Sequence, residues 1–289
     1  MEYGGKKEGA VMEDLTKRAW EIFRQVQEKR PLVQCITNFV TVNDCANMIL
    51  AAGGSPSMAH DIREAAEAAA AASALVCNLG AIGDTDAMEA AGKAANLLGI
   101  PVVFDPVAAG GTSLRRAEAA RLMRAVHFSV IRGNASEIRF LAGEQSSGSG
   151  VDAGMFDEIT EENLSAAIGI VKGLAEKTGS VIAVSGRLDL ISDSRRTAVL
   201  RNGSPVMARI TGSGCMLTAL TGAFCGACQK DCFTAAFAAS AVMGVCGELA
   251  DAKRLERGTG NASFRNDLID AVFTLTEKQF REGINYEIF

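Results

Sequence analysis

The feature that most constrains the fold is an alternation of short apolar, β-branched segments with longer segments of helical periodicity. The short segments are bounded by Gly, Pro, Asn or Asp, as strands are. The predicted strands are Leu32–Thr37, Leu75–Leu79, Val102–Val107, Ser129–Arg132 and Val181–Ser185, and the predicted helices are Asn43–Ala52, Ile62–Ser73, Ala87–Leu98, Ala117–Arg124 and Leu164–Lys177. Because parallel strands need crossover connections, this order predicts a three-layer α/β fold, with a mostly parallel central sheet and helices on both faces.

Later segments follow a different pattern. Leu188–Ile191 and Thr197–Arg201 alternate in polarity and are joined by a short polar turn, which predicts an antiparallel hairpin on the sheet. From Cys215 onward the pattern is helical almost to the last residue.

The domain organisation is predicted from linkers and repeats. Residues 1–11 are rich in Gly, Lys and Glu, and we predict a disordered tail there. Since neither a linker nor a repeat interrupts the rest, residues 12–289 are expected to form a single domain. The Ser- and Gly-rich segment Glu144–Gly150 is predicted to be a mobile surface loop.

Composition narrows the class of protein. Hydrophobic residues make up 48% of the chain and charged residues 22%, as in soluble globular proteins. The net charge of −5 and the lack of a dense basic cluster argue against nucleic acid as a partner. No apolar run approaches the ~18–20 residues that a membrane-spanning helix needs. The eight cysteines lie mostly in apolar stretches and no export signal is recognisable, so we expect free thiols in the cytoplasm.

The strongest chemical motif is Thr211-Gly212-Ser213-Gly214-Cys215 at the start of a long predicted helix. Glycines let consecutive backbone N–H groups point at one place, and the helix dipole adds positive potential, so this turn is a candidate anion site. A simple tight turn explains the motif equally well. Cys215 lies in the first helical turn, where the dipole lowers a thiol pKa, and it is a candidate proton acceptor or nucleophile.

A second motif follows a predicted strand. Asn134 can cap the next helix, with Glu137 completing a capping box. The functional alternative is that Glu137 holds a hydrated Mg²⁺ while Arg132 meets a phosphate, because Mg²⁺ needs few carboxylates.

Three further residues stand where ligands gather in open α/β sheets. Asp105 and Asn38 come at or after the carboxyl ends of predicted strands, where side chains can line a pocket. Met58, in the run Ser-Pro-Ser-Met-Ala-His, is either a core residue or a surface on which an aromatic heterocycle packs.

A cluster of thiols invites a metal interpretation. Cys225, Cys228 and Cys232 have spacing that places them on one helical face. Zinc normally takes four ligands, so we favour buried apolar thiols.

Together these segments resemble the hydroxyethylthiazole kinase family, in the family's order, from about Pro31 to Phe280. The matching runs are Thr-Asn-Phe-Val-Thr-Val-Asn at 37–43, Ser-Pro-Ser-Met-Ala-His at 55–60, Asp-Pro-Val-Ala-Ala-Gly at 105–110, Arg-Gly-Asn-Ala-Ser-Glu at 132–137 and Thr-Gly-Ser-Gly-Cys at 211–215. The resemblance implies a ribokinase-like fold and ATP- and Mg²⁺-dependent phosphorylation of the alcohol of 4-methyl-5-(2-hydroxyethyl)thiazole. It also implies a homotrimer with thiazole pockets between subunits.

The resemblance assigns roles to individual residues. It implies that Met58 and Gly212 contact the thiazole, with Asn38 beside them in the substrate pocket. Arg132 and Ser185 would contact ATP, and Cys215 would stand where related kinases carry a base Asp. Glu137 and a water-linked Asp105 would hold Mg²⁺. The chain departs from the family pattern at Ser185 and Arg187, where Thr and an acidic residue are usual.

Two other functions stay open from the sequence. One is a different small-alcohol kinase of the same fold, acting on a hydroxymethylpyrimidine or a sugar, although Cys215 in place of Asp argues against it. The other is a nucleotide-binding regulator without turnover, against which the intact Gly212, Gly214 and Glu137 argue.

Overall fold

The structure is a computed structural model that describes residues 3–143 and 158–289, with residues 3–13 described by their backbone only. The loop predicted at Glu144–Gly150 lies outside the described residues.

A nine-stranded sheet organises the described chain, in the order β2-β1-β3-β4-β5-β6-β7-β8-β9. The first six strands in this order pair in parallel, and the last three join by antiparallel pairing. The strands are β1 Leu32–Ile36, β2 Ser55–Ser57, β3 Ala74–Asn78, β4 Val102–Asp105, β5 Val130–Asn134, β6 Val181–Ser185, β7 Asp189–Ser192, β8 Thr197–Leu200 and β9 Tyr286–Ile288. The predicted parallel sheet and the antiparallel hairpin are both confirmed.

Helices cover both faces of the sheet. They are α1 Tyr3–Lys29, α2 Val42–Ala51, α3 Ala65–Ala70, α4 Thr85–Leu97, α5 Ser113–Ala125, α6 Ala135–Ala142, α7 Leu164–Thr178, α8 Ser213–Ala227, α9 Cys232–Arg257, α10 Asn261–Thr274 and α11 Glu277–Gly283. One apolar core lies under α1, α2 and α8 to α11, and a second lies under α3 to α7. In β3, Val76 faces the first core while Leu75 and Cys77 face the second, as the two-residue repeat of a strand requires. The three-layer α/β prediction is confirmed.

The amino-terminal region differs from its prediction. A helix occupies residues 3–11, where the sequence analysis predicts a disordered tail. Lys, Glu, Ala and Met are strong helix formers, so this segment can extend the amphipathic helix that follows it despite its glycines.

One long apolar helix, α9, belongs to the core. Within the described residues, α9 is long and apolar enough to cross a membrane, but 83% of its most apolar window is buried inside the protein. Its small side chains let it pack closely under the sheet, against β6, β7 and β8.

Candidate active site

The carboxyl ends of the parallel strands bring most of the predicted site residues to one edge of the sheet. Asn78 pairs with Asp105 in the register of β3 and β4, and Asn134 pairs with Ser185 in that of β5 and β6. Asn38 follows β1. This edge is where ligands bind in open α/β sheets.

The amino terminus of α8 points its free N–H groups into this edge. The helix begins at Ser213, and Gly212 before it has a φ of +81°, which a residue with a side chain adopts at a cost. A Cβ on Gly212 would also overlap with the side chain of Thr41. A Cβ on Gly214 would lie 2.6 Å from Arg132 Nη1. Gly212 is therefore needed for the close approach to Thr41, whereas a side chain at Gly214 would have to displace the Arg132 guanidinium.

Asp105 is buried at the end of β4 with one oxygen satisfied and one not. Its Oδ2 accepts hydrogen bonds from Thr218 Oγ1 at 2.7 Å and from Asn78 Nδ2 at 3.1 Å. Its Oδ1 is buried and has no hydrogen-bond partner within the described part of the chain. Burial raises the pKa of Asp105 to about 6, and nearby Glu137 adds to the rise, against the attraction of Arg132 and the Thr218 hydrogen bond.

Arg132 connects Asp105 with the nucleotide side of the edge. Its Nη1 lies 3.7 Å from Asp105 Oδ2, and its Nη2 donates a hydrogen bond to Ser185 Oγ. The side chain is only 8% exposed, so its charge is held among fixed partners. A buried guanidinium beside a helix amino terminus is suited to phosphate oxygens. The structure thus brings together Arg132 and Ser185, the two predicted ATP contacts.

Cys215 is held by two amides. Asn38 Nδ2 lies 3.4 Å from Sγ and Asn78 Nδ2 lies 3.2 Å from it, so the sulfur accepts from both. The prediction that the helix dipole lowers the thiol pKa is wrong in this structure. Burial raises the pKa of Cys215, and the negative charge of Asp105 adds to the rise, while hydrogen bonds from Thr41, Asn78 and Asn38 only partly offset it.

Glu137 completes the predicted capping box. Glu137 N donates to Asn134 Oδ1 at 2.9 Å and Asn134 N donates to Glu137 Oε2 at 2.8 Å. The other oxygen, Oε1, accepts from Ala108 N at 2.8 Å, in a turn where Ala108 has a φ of +53°. The structural role of Glu137 is confirmed, and its metal role stays a prediction.

Metal ligands are sparse at this edge. Within the described residues, no three His, Cys, Asp or Glu side chains are grouped so as to hold a metal ion. This excludes an all-protein cage there, of the kind that Ca²⁺ or structural Zn²⁺ uses. The unpartnered Asp105 Oδ1 still fits Mg²⁺, which is often bound through one or two carboxylates and substrate phosphates.

A cleft of about 1340 Å³ opens beside these residues. Its lining includes Arg132, Ser185 and Gly214 together with Met207 and Met243. The volume is ample for a nucleoside triphosphate, since ligand pockets usually measure about 300–1,000 Å³.

The predicted thiazole contacts lie beyond this cleft. Met58, Gly212 and Asn38 are not among its described lining residues, and neither is the candidate base Cys215. Met58 follows the edge strand β2 and packs, partly buried, against the first core. Nearby in sequence to Asn38, the large apolar side chains of Phe39 and Val40 are 90% and 58% exposed.

Two residues of the site, Asn78 and Thr218, were not predicted from the sequence. Asn78 is fully buried at the end of β3, and a polar residue ending an apolar strand was the available signal. Thr218 lies one turn into α8 and had no such signal, since the residues around it are apolar.

The three clustered cysteines do not share one helical face as predicted, because α8 ends at Ala227 and α9 begins at Cys232. All eight cysteines are free. Cys225 is buried, and Cys228 and Cys232 are half-buried, at the turn between α8 and α9.

Comparisons with known proteins agree on one family. A family model described as the hydroxyethylthiazole kinase family matches residues 23–278. A hydroxyethylthiazole kinase from Clostridium acetobutylicum is 44% identical over 271 residues, covering 93% of this chain and 99% of that protein. One from Methanocella arvoryzae is 45% identical over 266 residues, covering 91% of this chain and 95% of that protein.

Solved structures show the same fold. The structure of a hydroxyethylthiazole kinase from Pyrococcus horikoshii superposes with a TM-score of 0.82 at 33% identity, covering 94% of this chain and 99% of that one. An ADP complex of Bacillus subtilis pyridoxal kinase, at 15% identity, reaches a TM-score of 0.53 and covers 74% of this chain and 90% of that one. At that identity the second likeness concerns the fold alone.

Proposed function

Because the chain belongs to the hydroxyethylthiazole kinase family, we propose that it transfers the γ-phosphoryl group of ATP to the alcohol of 4-methyl-5-(2-hydroxyethyl)thiazole, in thiamine biosynthesis or salvage. The observation that carries the proposal is the meeting of the α8 amino terminus, Arg132 and Asp105 beside a cleft large enough for a nucleotide. Phosphoryl transfer depends mostly on positioning and charge stabilisation, which this arrangement supplies.

The phosphates are the part of ATP that the chain recognises most directly in this proposal. Arg132 donates to phosphate oxygens, with Ser185 orienting its guanidinium. The free N–H groups from Gly212 to Cys215 stabilise charge on the phosphoryl group as it is transferred.

We place the acceptor alcohol outside the cleft, beside the amino terminus of α8. We assign Met58, Gly212 and Asn38 to contacts with the thiazole. Cys215 Sγ receives the hydroxyl proton. In a loose transition state this proton leaves late, so the small fraction of Cys215 that is thiolate at neutral pH suffices as the base, and it becomes the neutral thiol. A proton transfer of this kind contributes about 10²–10⁴-fold to the rate.

Mg²⁺ is the metal we propose for the reaction, and its protein ligands would be Asp105 and Glu137. The buried, unpartnered Asp105 Oδ1 supports this assignment. When bound, the ion would neutralise negative charge on the phosphates.

We further propose a homotrimer with the thiazole pocket completed by a second subunit. Asn38 and Met58 lie outside the cleft of the single chain, and exposed apolar side chains such as Phe39 lie beside Asn38. Exposed apolar surface of this kind commonly marks an interface. Light scattering should give three times the chain mass of 30.2 kDa, and a monomer at working concentration would contradict the shared pocket.

A cytoplasmic enzyme without membrane or nucleic-acid partners is the setting we propose. The decisive assay is ATP consumption with a panel of acceptors: the thiazole alcohol, a hydroxymethylpyrimidine and several sugars. We expect turnover with the thiazole alcohol far above that with the others. Preference for a pyrimidine or sugar, or nucleotide binding without any product, would refute the assignment.

A further inference from the structure

Asn78 lies at the centre of the site's hydrogen-bond network, yet the reaction as described gives it no task. It ends β3 and is 1% exposed. Its Nδ2 donates to Asp105 Oδ2 at 3.1 Å and to Cys215 Sγ at 3.2 Å. One amide nitrogen therefore contacts both the carboxylate and the thiol of the site.

The orientation of this amide is fixed by its neighbours. Gly80 N, which can only donate, lies 2.8 Å from Asn78 Oδ1, and Asn38 Nδ2 lies 3.3 Å from the same oxygen. A Cβ on Gly80 would lie 2.6 Å from Oδ1, so the glycine backbone holds the amide closely. With Oδ1 facing two donors, Nδ2 must face Asp105 and Cys215.

We propose that Asn78 is a positioning residue that fixes Cys215 Sγ relative to the Asp105 carboxylate, an inference that rests on the proposed kinase function. A primary amide carries two N–H groups in a rigid plane, so one side chain can hold two acceptors at a set separation. Serine offers one donor and an ionised aspartate none. Asn78 thereby holds the Cys215 thiol, which takes the substrate proton, at a set distance from the Asp105 carboxylate, which would bind the metal on the phosphates.

Asn38 differs from Asn78 in an informative way. Asn38 also donates to Cys215 Sγ, but its other contacts are Asn78 Oδ1 and the hydroxyl of Thr41. It supports the sulfur without touching Asp105. Of the two asparagines, Asn78 alone contacts both Cys215 and Asp105.

A double-mutant cycle tests the inference. Asn78→Ser, Cys215→Ala and the double variant are compared in steady-state turnover. Asn78→Ser should lower kcat about tenfold to hundredfold, as misplacement of reacting groups does, with KM for ATP and for the alcohol changed less than about twofold. In the Cys215→Ala background the same substitution should have a smaller effect. The fold-loss in kcat should be at least about threefold smaller than in the parent, because the group being positioned is gone. If the kcat loss of the double variant equals the product of the two single losses within about twofold, the proposal is overturned. An effect of Asn78→Ser on KM alone would overturn it too.

Two controls separate positioning from folding. Asn96 makes two hydrogen bonds to the backbone of residue 127 at the opposite edge of the sheet, so Asn96→Ala should lower thermal stability and leave kcat unchanged. If Asn78→Ser does not fold, Gly80→Ala takes its place, because the added Cβ displaces the amide without deleting it. Gly80→Ala should give the same kcat loss and the same coupling to Cys215. If it shows neither the loss nor the coupling, the proposal is contradicted.

A readout without turnover separates this inference from the proposed function. Urea unfolding of the same four proteins gives the unfolding equilibrium constant of each. In the double variant, the change in this constant should differ from the product of the changes caused by Asn78→Ser and Cys215→Ala, by about twofold or more. Independent effects would disprove the contact even in an active kinase. A parent enzyme that binds ATP but phosphorylates no thiazole alcohol would instead refute the proposed function. The contact between Asn78 and Cys215 would then be tested by the unfolding measurement alone.

Discussion

Asp105→Asn should make the free protein more stable and the enzyme nearly inactive. Asparagine has almost the same shape, and its oxygen can accept the hydrogen bonds that Thr218 and Asn78 donate to Asp105 Oδ2. Its amide then occupies the place of Oδ1, which has no partner among the described residues. The substitution removes a buried negative charge and keeps the packing.

The magnitude follows from the pKa of this carboxyl. Burial raises the pKa from 3.8 to about 6, even though Arg132 attracts the charged form. At about 1.4 kcal/mol per pH unit, keeping Asp105 ionised at neutral pH costs about 3 kcal/mol of folding free energy. The protonated carboxyl is favoured in the folded state, so its stabilisation is complete below about pH 4 and is lost as pH rises through about 6.

The assay is urea unfolding in metal-free buffer at pH 7.5 and at about pH 4. At pH 7.5 the variant should be up to about 3 kcal/mol more stable than the parent, and at about pH 4 the difference should nearly vanish. A variant that is less stable at pH 7.5, or a difference that does not change with pH, would show that the buried charge of Asp105 does not destabilise the fold. Turnover should fall at least about a hundredfold, since we propose this carboxylate as a ligand of the Mg²⁺ that would neutralise charge on the phosphates.

Three further substitutions test the rest of the site. Arg132→Ala should raise KM for ATP more than KM for the thiazole alcohol in steady-state kinetics, because only ATP offers phosphate oxygens; equal changes would point to a folding role. Gly212→Ala should abolish most activity and lower the melting temperature, because it combines strain at a φ of +81° with overlap at Thr41; a fully active variant would contradict the geometry. In the parent, kcat should rise from pH 7 to 9 without levelling off, because the thiolate fraction grows with pH while burial holds the pKa of Cys215 above its usual value; Cys215→Ala should keep partial activity with a flat profile. A covalent phosphothiol detected by mass spectrometry would overturn that last assignment.

Much of the fold could be predicted because its signals are local. The apolar runs that became β3, β4 and β6 are bounded by turn residues, and each lies within a few residues of its prediction. The two strands that were missed, β2 and β9, are three residues long. Such strands form through pairing with a neighbour, and β2 contains Pro56, which marks edge strands and weakens any strand prediction.

The site was predicted less completely, for a physical reason. Residues with a motif of their own, such as Gly212, Arg132 and Glu137, could be chosen from spacing. Asn78 and Thr218 act through partners that are distant in sequence, since both donate to Asp105. The pKa of Cys215 was mispredicted for the same reason, because the helix start was visible in the sequence and the burial of the thiol was not.

Both carboxylate oxygens of Glu137 accept hydrogen bonds, and this limits how the position can change during evolution. One oxygen closes the cap of α6 and the other restrains the Ala108 turn, and we also propose it as a metal ligand. A single substitution of Glu137 would disturb the helix cap, the Ala108 turn and the proposed metal site at once. A second substitution in only one of these places would therefore not restore the other two. The 105–110 turn and the 132–137 turn should therefore vary together, as one heritable unit, and chimaeras that exchange only one of them between distant relatives should fail where exchanges of both succeed.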